Sequence, residues 1–349
     1  MRIIIHSGSI ILPMEADRIH PKVYDLVEEV KGEAERRSLV VGKNIENLDK
    51  ISNVDERVEK FKQYLLDSRK SSEDISESVA VPAVDGKDIE DLFHGKHIRA
   101  KVYSPAEARD HLPCIYHIHG GGLLVGGIDE DINRMALISK TLDCIIMDIE
   151  YRLAPEFKFP TPQDDCYIGF QYCYNNAEKL GIDPERLSVM GESAGGGLAA
   201  SVAISSIREN GPQIRNLFLM APMLDYKNNS LSSTQYDGNW PFWSTYYNKL
   251  GWKGYLGSQE EVSELASPSL ATDLEGFPET YIEVGFDEVF RDESIAFASR
   301  ILNSKRRVDL HVYEGIFHGF EYVIPEAALT KTILEYRYLK MKKMIHSRI

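Results

Sequence analysis

The sequence predicts an α/β protein: a mostly parallel, twisted sheet with helices on both faces and a helical cap. Two observations carry that expectation. From Cys114 onward, short apolar runs of strand length alternate with helical stretches, which is the rhythm of βαβ units. Ahead of that rhythm lie about seventy residues whose apolar positions are spaced for helices and lack a turn-rich strand pattern. A third observation refines the picture. Between residues 225 and 257 the rhythm breaks, and Tyr226, Tyr236, Trp240, Phe242, Trp243, Tyr246, Tyr247, Trp252 and Tyr255 crowd together, including all three tryptophans of the chain.

In the N-terminal part, Val23, Leu26, Val27 and Val30 are helically spaced, as are Val58, Phe61, Tyr64 and Leu65. Residues 76–82 and 97–103 then alternate like the strands of a hairpin, with Asp85-Gly86 and Gly95 among the turn signals between them. The strands of the main sheet are expected at 114–119, 143–149, 187–190, 217–221, 281–284 and 308–313. The helices between them are expected at about 162–180, 194–209 and 292–303. This divides the 349 residues into an N-terminal helical cap segment (1–70), the first part of the core (71–224), a cap insertion (225–260) and the second part of the core (261–349). The insertion reads either as a subdomain packing its own small core or as a lid whose aromatics line a pocket, and the two are compatible.

Composition narrows the function classes. A net charge of −14, from 40 basic and 54 acidic residues, argues against nucleic acid and against an anionic membrane surface as partners. Four cysteines, Cys114, Cys144, Cys166 and Cys173, lie in apolar or helical stretches without CxxC pairing, which reads as free buried thiols in a reducing compartment. The N-terminus carries only a brief apolar run before Pro13, and no stretch is long enough to span a bilayer. The expected location is cytoplasmic.

Gly191-Glu192-Ser193-Ala194-Gly195 is a GxSxG match placed between the strand 187–190 and a helix of small residues. A nucleophilic serine needs that strand–turn–helix: the sharp turn projects its hydroxyl, the glycines avoid collisions, and the helix N-terminus favours developing negative charge. His119-Gly120-Gly121-Gly122 follows another apolar run. Bare backbone there lets N–H groups approach a reacting carbonyl oxygen, so the amides of Gly121, Gly122 and Ala194 are the candidate oxyanion-hole donors; losing one such donor typically costs about 3–4 kcal/mol of transition-state stabilisation. His119 itself is expected to brace the loop. No metal is expected, because His117 and His119 have no further ligand set, and no nucleotide site either, because GxGxxG and Gly-Lys-Ser/Thr are missing.

A serine nucleophile needs a base, and the base an orienting carboxylate. Of ten histidines, His318 is best placed, in a turn after the strand 308–313 at the carboxyl edge of the sheet. The acid should follow the strand 281–284, where Asp287 and Glu288 compete; Arg291, one turn on, would pair with the loser.

With these residues in hand, the chain resembles the hormone-sensitive-lipase-like branch of the α/β-hydrolases, the bacterial family IV esterases. The resemblance spans roughly residues 75–325. It rests on His119–Gly122, Tyr151-Arg152-Leu153-Ala154-Pro155-Glu156, Gly191–Gly195, Gly251-Trp252 with Tyr255-Leu256-Gly257, Ser267-Pro268, Arg291-Asp292-Glu293 and His318-Gly319-Phe320. It implies the α/β-hydrolase fold, hydrolysis of small-molecule acyl or aryl esters without metal or cofactor, a cap of N-terminal helices plus an insertion, and a homodimer as one oligomeric outcome. Two departures stand out. Glu192 replaces the Asp many members carry before the serine, which reads as a tolerated change. The family's acid lies three residues before an Arg, and counting back three from Arg291 reaches Glu288, so Glu288 is favoured and Asp287 is the alternative. Trp240, Trp243 and Phe317 are the candidate substrate-contacting residues. The rival readings are an amide or formamide hydrolase on the same scaffold and a non-catalytic small-molecule receptor, which the presence of His318 disfavours.

Overall fold

The structure is a computed structural model that describes residues 2–6, 48–76, 85–89, 98–105, 111–237 and 242–347. Its centre is a nine-stranded sheet in the order β1-β9-β8-β7-β6-β4-β5-β3-β2. The strands are β1 (Arg2–His6), β2 (Asp85–Ile89), β3 (Arg99–Ser104), β4 (Leu112–Ile118), β5 (Ile145–Glu150), β6 (Ile182–Glu192), β7 (Asn216–Met220), β8 (Glu279–Gly285) and β9 (Val308–Tyr313). From β1 through β5 in that spatial order every pairing is parallel; only β5 with β3 and β3 with β2 are antiparallel.

β4 and β7 are buried along their whole length, as a parallel sheet covered on both faces demands. The covering helices are α1 (Val54–Ser76), α2 (Ile132–Leu142), α3 (Thr161–Asn175), α4 (Ala177–Leu180), α5 (Ala194–Arg208), α6 (Leu231–Gln235), α7 (Thr245–Leu256), α8 (Arg291–Asn303), α9 (Phe320–Val323) and α10 (Ala328–His346). α5 is buried from Ala194 through Ser206, which its run of Gly, Ala and Ser permits by letting sheet and neighbouring helices close in.

All six expected strands of the main sheet are present. The hairpin differs from expectation: β3 pairs antiparallel with residues 85–89, so Asp85-Gly86 lies in a strand and not in a turn. Of the segment expected as its partner, Ser76 ends α1 and 77–82 lie outside the described residues. The expected helix around Val23–Val30 also lies outside them, whereas α1 carries Val58, Phe61, Tyr64 and Leu65. Residues 2–6 are a strand on β9, not part of a helical segment.

Two features of this topology set up the site. β4 sits between β5 and β6, so the chain leaves β4 toward one side and returns on the other. That reversal falls at the carboxyl ends of β4 and β6, the place where open α/β sheets bind ligands. Second, α1 and α7 pack together over that edge: Phe61 stacks on Tyr247 with centroids 5.0 Å apart and leans on Trp243 at 5.9 Å. Gly251 and Gly254 let α7 come down onto the loop after β4; a Cβ there would stand 2.8 Å from the Gly122 carbonyl oxygen and 2.6 Å from Leu124 respectively. α1 is further tied down by Lys62, whose ammonium donates to Glu156 at 2.6 and 2.7 Å. Among the described residues no helix is long and apolar enough to cross a membrane.

Candidate active site

Ser193 follows β6 directly and precedes the first turn of α5, with φ 55° and ψ −120°. A non-glycine residue in that region is strained, and the surroundings hold it there. Its N–H donates to Met220 O (2.9 Å), and its carbonyl accepts from Met223 N (2.9 Å) and Gly197 N (3.2 Å). The flanking glycines are required by space: a Cβ on Gly191 would lie 2.2 Å from Gly195 O, and one on Gly195 only 2.0 Å from Ile118 O. The turn is thus pressed against the end of β4.

The loop after β4 approaches the serine in turn. A Cβ on Gly120 would stand 3.0 Å from Glu192 O and 3.4 Å from Ser193 Cβ. Gly121 and Gly122 have φ of 120° and 62°, a backbone path that other residues adopt only with strain. His119 braces this loop: its ring stacks on Tyr151 at 4.3 Å, and Tyr151 O–H donates to His119 O at 3.0 Å.

His318 lies in the loop between β9 and α9, with Nε2 3.0 Å from Ser193 Oγ. Its Nδ1 is 3.2 Å from Glu288 Oε1, and Glu288 Oε2 accepts from Gly285 N at 3.1 Å. Glu288 is 1% exposed, whereas the His318 side chain keeps 15%. The loops after β8 and β9 are zipped together by Phe286 N to Tyr313 O (2.8 Å) and Asp287 N to Ile316 O (3.0 Å). Asp287 is half-buried and accepts from Tyr236 O–H at 3.0 Å. Arg291 was expected to pair with whichever acid turned away from His318; instead its guanidinium binds Asp292 (2.8 Å) and Phe286 O (3.0 Å).

Of the candidate substrate-contacting residues, Trp243 lies against Gly122: a Cβ on that glycine would come 2.2 Å from the indole Cη2. The indole is also 6.4 Å from the His318 ring, and its N–H donates to Asn248 at 3.0 Å. Trp240 is outside the described residues. Phe317 is 2% exposed and stacks on Phe242 in a small core cluster with Ile316 and Phe320, so its ring is committed to packing.

Behind the serine lies an arrangement the sequence reading missed. Glu192 is buried and bonded on both carboxylate oxygens, to His117 Nε2 (2.8 Å) and to Arg134 Nη1 (2.7 Å). His117 contacts Asp148 at 2.8 Å through its other nitrogen. Burial alone would lower the His117 pKa, but the Glu192 and Asp148 carboxylates outweigh it and raise it to about 10, so the ring is an imidazolium. Burial would likewise raise Glu192; Arg134 and His117 hold it well below the usual carboxylate range instead. The signal was available: His117 and Asp148 are ionisable residues inside strands buried on both faces, and such residues are tolerated only when paired. Among the described residues no cluster of His, Cys, Asp and Glu could hold a metal ion.

The family profile described as alpha/beta hydrolase fold matches residues 115–322, more than half the chain. The arylesterase of Saccharolobus solfataricus is 27% identical over 224 residues, covering 64% of this chain and 72% of that protein. Among solved structures, a bacterial heroin esterase superposes with a TM-score of 0.77 at 30% identity, covering 83% of this chain and 93% of that one. A thermostable carboxylesterase cloned from a metagenomic library gives 0.76 at 27% identity, covering 83% and 98%. The sheet order, the serine on its strained turn after β6 and these relatives agree: the chain belongs to the α/β-hydrolase family, in its hormone-sensitive-lipase-like branch.

Proposed function

We propose that the protein is a serine carboxylesterase that hydrolyses short-chain acyl or aryl esters through an acyl-enzyme. The observation that carries the reading is the unbroken relay from Ser193 Oγ through His318 to Glu288, with spacings of 3.0 and 3.2 Å, beside a glycine-rich loop. Ser193 Oγ attacks the ester carbonyl carbon while its proton passes to His318 Nε2. The carbonyl oxygen becomes an oxyanion received by the amides of Gly121, Gly122 and Ala194. Glu288 accepts from Nδ1–H and so fixes the tautomer that leaves Nε2 free to accept. The tetrahedral adduct collapses, the C–O bond to the alcohol breaks, and the alkoxide leaves with the proton from Nε2. Water then repeats the sequence on the acyl-enzyme, His318 taking its proton, and the carboxylic acid departs with Ser193 restored.

The substrate-facing wall in this reading is a cap of α1 and the 225–260 insertion, with Trp243 nearest the reacting carbonyl. Its aromatic character suits apolar acyl or aryl groups. The test is turnover of p-nitrophenyl butyrate by the wild type and by Ser193→Ala. The variant should lose activity by on the order of 10⁴-fold or more; wild-type turnover in Ser193→Ala would overturn the reading.

A further inference from the structure

The nucleophile and its base stand on separate loops 125 residues apart, yet their atoms must hold 3.0 Å. One guanidinium touches the elements that flank both loops. Arg134, on α2, donates through Nη1 to Glu192, the residue immediately before Ser193, at 2.7 Å. The same nitrogen is 3.7 Å from Oε1 of Glu321, three residues after His318. Nη2 donates to Asp131 at 2.9 Å, at the start of the same helix. Helix α9, directly after the histidine's loop, contributes a second contact here: Tyr322 O–H donates to Asp131 at 3.2 Å, and its ring lies 5.4 Å from the Arg134 guanidinium.

The far sides of both carboxylates are anchored too. Glu192 rests on the His117 imidazolium, which rests on Asp148 of β5. Glu321 forms an ion pair at 2.6 Å with Arg337 of α10, and Arg337 donates through Nε to Glu283 of β8 at 2.9 Å. Glu283 also accepts from Tyr281 O–H at 2.6 Å. The side chains of Arg337 and Glu283 are each 3% exposed. The result is one continuous chain of charges, Asp148–His117–Glu192–Arg134–Glu321–Arg337–Glu283, running behind the site from β5 to β8. Arg134 is its only link between the serine's turn and the histidine's loop among the contacts of the described residues.

Resting on the esterase reading above, we propose that Arg134 is a positioning residue: by bridging Glu192 and Glu321 it sets the separation of Ser193 from His318. It touches neither the ester nor the reacting atoms. Nη1 faces Glu192 and Glu321 while Nη2 is held by Asp131, a two-point hold that a lysine ammonium, as a single point charge, reproduces only in part. A displacement of about 1 Å between catalytic groups costs on the order of 10²-fold in rate, so loss of the bridge should appear in kcat and spare KM.

The experiment measures kcat and KM for p-nitrophenyl butyrate in the full-length wild type, Arg134→Met, Arg134→Lys, Glu321→Gln and the Arg134→Met/Glu321→Gln double variant. Each is assayed well below its own melting temperature, with Ser193→Ala as background. Arg134→Met should lower kcat by about 10²-fold with KM within about threefold, and Arg134→Lys should recover part of the loss. The double variant should fall no further than Arg134→Met, because both changes cut the same bridge. Should Arg134→Met fail to fold, Glu321→Gln, which keeps shape and removes only the base-loop charge, should by itself reduce kcat about tenfold. Folded variants that melt lower but keep wild-type kcat, or additive losses in the double variant, would overturn the positioning role. Absence of Ser193-dependent turnover in the wild type would overturn the esterase reading and this role with it, and the wild-type control distinguishes that failure.

Discussion

The sharpest consequence of the geometry concerns which carboxylate serves His318. In Glu288→Gln the side chain keeps its length but loses its charge. Its amide oxygen can still accept from Gly285 N, which Glu288 Oε2 does at 3.1 Å. The amide NH₂ then faces His318 Nδ1 at the position Oε1 holds at 3.2 Å. Two donors cannot face each other, so the imidazole is driven to the tautomer with its proton on Nε2, and Nε2 can no longer accept from Ser193. The positive charge that develops on His318 also loses a buried counter-charge. In a comparable serine hydrolase that tautomer error costs about 10⁴-fold, equivalent to about 5.5 kcal/mol of transition-state stabilisation. A loss of 10³- to 10⁴-fold in kcat on p-nitrophenyl butyrate is therefore expected. Asp287→Asn keeps an oxygen for Tyr236 O–H and should stay within about threefold of wild type, since it removes only a half-buried charge remote from the relay. Steady-state kinetics on variants checked by circular dichroism decide the matter. A Glu288→Gln enzyme within tenfold of wild type, or a larger loss in Asp287→Asn, would refute the assignment.

Two more outcomes follow from other parts of the structure. Trp243→Ala removes the ring that lies against Gly122, so the ratio of kcat/KM for p-nitrophenyl octanoate over butyrate should rise by about tenfold, the worth of about one methylene in an apolar pocket; an unchanged ratio would show that the indole does not limit the substrate. The protein should also lose stability in mild alkali. The folded pKa of His117, raised to about 10 by Glu192 and Asp148, exceeds the 6.5 of an ordinary histidine. Its contribution is therefore complete below 6.5 and is lost as pH rises through 10, because over that window the unfolded chain has released a proton that the folded one retains. Urea unfolding between pH 7 and 10 should show stability falling by up to about 1.4 kcal/mol per pH unit from this group; stability that is flat or rising across the range would contradict a buried imidazolium.

How much of this was legible from sequence depended on whether a residue's partner is local. The strands 114–119 and 217–221 were readable because parallel strands covered on both faces are largely apolar, and β4 and β7 are fully buried. The start of β6 was not, since Asp183, Pro184, Glu185 and Arg186 are strand residues of loop composition. α10 escaped notice for a different reason. Its buried positions Leu329, Thr330, Ile333, Arg337, Met341 and Ile345 keep helical spacing, but two of the six are polar, and Arg337 faces inward to meet Glu283 and Glu321. In α2, Ile132 and Leu137 stay exposed, so apolar residues on both faces blur its stripe. Strands β1 and β2 draw their definition from β9 and β3, with five residues each and, in β2, the composition Asp-Gly-Lys-Asp-Ile.

The site divides along the same line. Ser193, His119–Gly122 and His318 announce themselves because the chemistry proposed for them demands unusual local backbone, and unusual backbone demands glycine, which is visible in one dimension. Glu192 demands nothing local. Its significance comes from His117, Arg134 and, through Arg134, Glu321, partners 75, 58 and 129 positions away. Beside Ser193 with φ at 55° and ψ at −120°, a conformation costing on the order of 1–3 kcal/mol, such partners have a reason to exist. The strained turn persists only if its neighbours leave it no alternative, and Glu192, bonded on both oxygens to groups that are themselves anchored, cannot shift without breaking a buried and a part-buried ion pair. A shorter Asp at 192 would have to bring His117 and Arg134 closer to keep both contacts. The glutamate is therefore matched to the imidazolium on β4 and the guanidinium on α2, and replacing it alone should cost more than replacing it together with them.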